Sequence, residues 1–138
     1  MTEVAGECGV ALTNTYYMAG LMRSDKPEYK AVVGKVGVAF HNQSGWETHV
    51  NIASFAAAND APHQANGIKF LEYLASPTAH SHFVDGNNEW PAAKGIHISN
   101  PALQAMSGGN FKSETVPISV VGMNQVKVQQ LLDRVGLK

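Results

Sequence analysis

Residues 6–22 read GECGVALTNTYYMAGLM, and the order of residue types in that stretch sets the fold class. The apolar run at residues 8–12 has the length of a short strand. Thr13, Asn14 and Thr15 follow, and their side-chain oxygens can accept the first-turn amide hydrogens of a helix. The segment from about Thr15, TYYMAGLM, reads as that helix. A strand that runs through a polar junction into a helix is the repeating unit of α/β proteins. Two adjacent tyrosines, Tyr16 and Tyr17, stand at the junction.

The same grammar recurs along the chain. Pro27 can open a second helix, PEYKAVVGK, because its fixed φ suits a first helical position. VGVAF at residues 36–40 reads as a strand, HNQSG as a turn, and residues 49–55 as a third strand with β-branched residues early. HQANGIKFLEYLAS is the clearest helix, with Ile68, Leu71 and Leu74 on one face and Phe70 at its edge. Ser76 caps a helix beginning at Pro77, GNNEWPAAKG is a loop, and Asn100 with Pro101 opens another short helix. GGNFKSETVPIS is irregular. A last helix spans roughly residues 124–135, with Val128, Leu131, Leu132 and Val135 on a stripe and Gly136 as its stop. The expected architecture is α/β with several helices and a small, incomplete sheet.

The chain has 138 residues, enough for one domain. Apolar residues make up 44% and charged residues 15%, which is globular but charge-poor. A net charge of -1 without any basic block gives no electrostatic reason to bind nucleic acid. One cysteine, Cys8, excludes an internal disulfide and a thiolate-rich zinc site. Cys8 falls in an apolar strand pattern, where burial would quiet the thiol. The N-terminus MTEVAGECGV lacks the basic start and long apolar region of a signal peptide. If Met1 is the natural start, the chain is expected to stay in the cytoplasm.

The tyrosine pair carries the chemistry. A phenolate is a hard anionic oxygen ligand, and the free phenol ionises only near pH 10. At neutral pH only a strongly attracting cation holds it deprotonated. Two phenolates cancel two of the three charges of Fe(III), whereas Mg and Ca sit in carboxylate, carbonyl and water cages. Adjacent residues of a regular helix point about 100° apart. Both rings therefore reach one ion only where the backbone is not yet helical. Spacing alone leaves a second reading open, in which Tyr16 packs in the core and Tyr17 lies in water.

The segments GECGVALTNTYYMAGLM, FHNQSGWETHVNIASFAAA, IKFLEYLASPTAHSHF, NNEWP and VQQLLDRVGLK, in that order, resemble the ferric-iron-binding proteins of bacterial ABC transporters. Those are bilobal periplasmic solute-binding proteins. The resemblance implies a partial type II periplasmic-binding-protein-like fold, with the chain corresponding to the C-terminal portion of such a protein. Residues 1–48 would form part of the second lobe, and residues 49–138 the lobe crossing and the segments returning to the lobes. It implies Fe(III) held by Tyr16 and Tyr17, with an anion such as carbonate near Thr15 and Asn14 at the helix terminus, and His49 and Asn51 behind the ligands. It implies no enzymatic activity, a periplasmic location, an ABC permease as partner and an N-terminal lobe that completes the site. Without that lobe, exposed apolar surface would favour self-association. The alternatives are a carrier of another anion or small solute at the same helix terminus, and a non-binding, self-associating fragment.

The sequence departs from the family pattern in places. SGWETHVN replaces a glycine-led THVN, His41 stands where a proline is usual, Ser54 where a glycine is usual, and NNEWP carries Trp90 in place of tyrosine. His49 at a strand start reads more readily as a packed or hydrogen-bonded residue than as a ligand. His80 and His82 lie two apart and share no helix face. Glu47 and Glu89 lack a second carboxylate at catalytic spacing. No GxSxG turn or phosphate loop is present.

Overall fold

The computed structural model describes residues 8–108 and 110–136. Residues 1–7, read above for a signal peptide, and Gly109, Leu137 and Lys138 lie outside the described residues. Among the described residues six α-helices follow one another: α1 (Thr15–Met22), α2 (Pro27–Val33), α3 (Gln64–Leu74), α4 (Pro77–His82), α5 (Pro101–Ser107) and α6 (Ile118–Val135), with a π-turn at Phe83–Asn87 continuing α4.

The starts and stops follow local chemistry. Pro27, Pro77 and Pro101 each occupy the first turn of a helix, where a missing N–H costs nothing. The Ser76 hydroxyl accepts from the Ala79 amide. The Asn100 side chain accepts from the amides of Ala102 and Leu103. Gly136 ends α6 at φ 71°, a left-handed conformation that glycine adopts without Cβ strain. α6 begins at Ile118 rather than near Asn124. Pro117 presets the entry at φ -61°, and the β-branched run after it, which weakens intrinsic helix propensity, is carried into the helix.

The core is small. Ala19 of α1, Val84 of the π-turn, and Ala102 and Leu103 of α5 are buried together. Met22, Trp90, Ile98 and Met106 pack against them. Trp90 extends this core sideways, edge-on to Phe40 and Phe111, whose rings stack 4.4 Å apart. A hydrogen-bonded knot closes the same region. The Arg23 guanidinium donates to the Asp85 carbonyl and to Asn88 Oδ1, the latter at 2.7 Å. Asn100 Nδ2 donates to the Val84 carbonyl and to Asn88 Oδ1, each at 2.9 Å. Ser99 Oγ donates to the Asp85 carboxylate at 2.7 Å.

The expected sheet does not form among the described residues. Residues 8–12, 36–40 and 49–55 carry no ladder, and the pairing present is an isolated parallel bridge between Thr48 and Ser113. Strand propensity cannot act without a neighbouring backbone to receive and supply hydrogen bonds. Val10 and Leu12 are accordingly 91% and 95% exposed, and Cys8, expected to be buried, is exposed with them. α3 and α6 bury no residue fully. The accessible surface is 10616 Å². A folded monomer of 14.8 kDa exposes about 7,000 Å². The excess, about 3,600 Å², is of the order of a whole obligate interface.

Asn100 is 1% exposed and serves both as a cap and as a cross-link. Asn100→Ala is expected to lose about 2–3 kcal/mol, because it frees two first-turn amides, removes the bond to the Val84 carbonyl and leaves Asn88 Oδ1 with Arg23 as its donor. Urea unfolding followed by circular dichroism measures it, and a loss under about 0.5 kcal/mol would show that the knot does not hold the core.

Candidate metal centre

Tyr16 and Tyr17 both lie inside α1, in its first turn. The expectation that they precede the helical backbone is corrected. Convergence survives nonetheless: the ring centroids are 4.3 Å apart with the planes tilted by 49°. Side-chain rotation, not an irregular backbone, brings neighbouring phenols together. Neither ring is sunk in the core, since Tyr16 is 37% and Tyr17 61% exposed.

Asn14 is the N-cap residue of α1, but its side chain makes no cap hydrogen bond. Its Nδ2 donates instead to Tyr16 Oη at 3.2 Å. The first turn of α1 is thus left without a side-chain cap. Two influences oppose each other at Tyr16. The hydrogen bond and charge of Tyr17, with some burial, push its pKa above the ordinary phenol value, and Glu89 adds to this. The Asn14 amide pulls the other way, because it donates to the oxygen that would become anionic.

The His49 ring pairs with the Glu114 carboxylate, and its backbone amide donates to His41 Nε2 at 3.2 Å. This belongs to a clip between two segments. Gln43 Nε2 donates to Thr48 Oγ1 and to the Lys112 carbonyl, both at 2.8 Å, while the Lys112 amide donates to Gln43 Oε1 at 2.7 Å. Thr48 Oγ1 donates to the His41 carbonyl at 2.7 Å. His49 therefore serves as a hydrogen-bonded residue, and His41 works beside it. Asn51 is exposed in a segment without regular structure. Among the described residues no group of three or more histidine, cysteine, aspartate or glutamate side chains is arranged to hold a metal.

Glu89 is the residue that sequence reasoning set aside. Its charge is a minor influence raising the pKa of Tyr16, behind Tyr17, although 73 positions separate the two along the chain. Only the packing of residues 88–90 on α1 brings it there. The quoted NNEWP segment marked the right loop, but no spacing rule linked that loop to Tyr16.

No protein-family model matches the chain. The chain is 34% identical over 134 residues to iron uptake protein A1 of Synechocystis, an alignment that takes in 97% of this chain and 36% of that protein. Its structure superposes with a TM-score of 0.90 on the Trichodesmium protein IdiA (FutA) solved in complex with iron and citrate, at 44% identity, over 99% of this chain and 42% of that one. The ferric binding protein of Campylobacter jejuni superposes with a TM-score of 0.86 at 30% identity, over 98% of this chain and 42% of that one. The likeness to ferric-iron-binding proteins read from the sequence is borne out along nearly the whole chain. The chain spans well under half the length of these relatives, whose names describe iron uptake and ferric binding and not an enzymatic reaction.

Tyr17→Phe removes the main influence raising the pKa of Tyr16. The hydrogen bond and the nearby phenol both favour the protonated form, so their loss makes ionisation easier. The alkaline rise in tyrosinate absorbance of the variant is expected to reach completion at lower pH than in the parent, and an unchanged or higher end of the curve would show that the two hydroxyls do not interact.

Proposed function

We propose that this chain carries the ferric-iron site of the substrate-binding component of an ABC iron-uptake system, with Fe(III) as cargo held by the phenolates of Tyr16 and Tyr17. The observation that carries the reading is the convergence of two accessible phenols, 4.3 Å apart at their centroids, on the first turn of α1. The donor set fits the ion: phenolate oxygen is hard and anionic, and Fe(III) is the cation with the charge density to keep it deprotonated at neutral pH. The iron-bound state of the IdiA relative supports it. The uncapped first turn, with Thr15 and Asn14 beside it, suits a small oxyanion such as carbonate or citrate, because first-turn amides and the helix dipole both favour negative charge.

The same reading accounts for the unpaired strands. Residues 1–48 would belong to the second lobe and residues 49–138 to the crossing and the returning segments. Extended residues 8–12, 36–40 and 49–55 would then find their ladder partners in the part of the relatives that this chain does not span, and the small sheet would be completed there. That polypeptide would also supply the remaining iron ligands and the surface that meets an ABC permease in the periplasm. The buried Trp90 indole N–H, without a partner among the described residues, fits such an incomplete surface, since a buried donor normally finds an acceptor.

Two phenolates leave about four positions of an octahedral ion to an anion and water. Adding Fe(III) with bicarbonate or citrate is expected to give a visible phenolate-to-iron charge-transfer band, lost in Tyr16→Phe and in Tyr17→Phe. A folded sample that stays colourless would end the ferric reading for this chain. The excess surface supports a second expectation: sedimentation velocity should show concentration-dependent self-association of the isolated chain. A strictly monomeric species at every concentration would contradict it.

A further inference from the structure

Among the described residues the well-packed helix pairs are α1 with α2, α1 with α5, and α3 with α4. α6 is outside them and buries no residue fully along its 18 residues. Its side chains nonetheless sort by face. Val121, Val128 and Val135 recur every seven residues, and Leu131 falls three after Val128, so the four form one seam. Val121 is 41%, Val128 50%, Leu131 53% and Val135 66% exposed, so the seam lies open along its length. Asn124, three after Val121, takes the remaining position of the seam. Its Nδ2 donates to the Val120 carbonyl at 2.9 Å, which leaves Oδ1 and a second N–H for another partner. Lys127 and Arg134 lie along one flank of the seam, Gln125 and Leu132 along the other.

We propose that this seam binds the seam of a second copy of the chain, as a parallel helix pair in register. The step rests on the self-association expected above and is independent of the iron site. The apolar pattern suits a copy of itself: valine at the first position of each heptad with leucine at the fourth favours two strands. The charges choose the direction. In a parallel pair the flank of Lys127 and Arg134 meets the uncharged flank of Gln125 and Leu132. In an antiparallel pair Lys127 and Arg134 face the same cations of the other copy and repel them. Asn124 makes the same choice. A parallel pair in register sets it against itself, where two amides can exchange hydrogen bonds, while a shifted or reversed pair sets it against an apolar side chain. The area is sufficient as well. A standard interface takes about 600–1,000 Å² from each partner, well inside the excess of about 3,600 Å² over a monomer's expected surface. Eighteen residues make a seam about 27 Å long, short enough that the pair is reversible.

The test is sedimentation velocity over a wide range of concentration on the parent chain, Val128→Glu and the control Met123→Glu. Met123 is exposed on the face of α6 away from the seam, and its variant carries the same added charge. Val128→Glu should weaken dimerisation by about 100-fold or more, because it sets two carboxylates against each other in an apolar seam. Met123→Glu should stay within about twofold of the parent. Matching circular dichroism spectra establish that the variants are folded. Direction is read by cross-linking in a Cys8→Ser background. Val121→Cys should give a disulfide-linked dimer on mild oxidation, because the parallel pair brings residue 121 of both copies together, and Met123→Cys should give little. Association of Val128→Glu within about twofold of Met123→Glu overturns the seam and leaves this face to the polypeptide that the longer relatives possess. Cross-linking through residue 123 as fast as through residue 121 overturns the parallel alignment. A parent chain that is monomeric at every concentration overturns the interface and the self-association together, and leaves the ferric reading standing.

Discussion

The Arg23–Asn88–Asn100 knot is the constraint on which the rest of the molecule hangs. Arg23 ends α1, Asn88 ends the π-turn, and Asn100 opens α5. One amide oxygen, Asn88 Oδ1, accepts from both of the others. Three elements distant in sequence are thereby held at one point. With so few side chains fully buried, hydrophobic area alone gives little orientation, whereas hydrogen bonds with fixed geometry do. The knot sets how residues 88–90 lie on α1, and so what surrounds the tyrosines.

The outer parts of the chain obey the opposite logic. Apolar segments without a ladder and apolar helix stripes are present there, and among the described residues little covers them. Ile52 and Phe55 in one extended segment are half-exposed or more, as are Val126, Val128, Leu131 and Val135 on α6. Singly, such residues are ordinary on a protein surface. Together with about 3,600 Å² of surface beyond a monomer's expectation, they describe faces made for burial. The Gln43 side chain shows a local remedy: its amide occupies both the N–H and the C=O of Lys112, as a neighbouring strand would.

What could be read from the sequence divides along the same line. Helix starts at Pro27, Ser76–Pro77 and Asn100–Pro101, and the stop at Gly136, were legible because each depends on chemistry within a few residues. The strands were legible only as a tendency, since a ladder needs a partner that local pattern does not name. Burial of Cys8 failed for the same reason. Tyr16 and Tyr17 were legible as a pair, though not the rotation that lets them converge from inside a helix. The minor influence of Glu89 on Tyr16 was invisible because residues 88–90 are positioned through the packing of Trp90 and the hydrogen bonds of Asn88. Neither leaves a periodic trace.

The tyrosine pair itself is best understood as two acids that hinder each other. Bringing Tyr17 against Tyr16 favours the neutral form of Tyr16. In the proposed ferric site the two phenolates would become cooperative, because their repulsion would turn into attraction to a common cation. Asn14 softens the approach to that state by donating to Tyr16 Oη, a bond that grows stronger as the oxygen gains charge. In the proposed site the phenols would stay protonated until a cation of high charge arrived, and a weakly charged cation would be offered too little to displace the protons. Selectivity of this kind needs no enclosing cage. It requires only that the donors be acids of high pKa, held close, with the proton as the competing ligand.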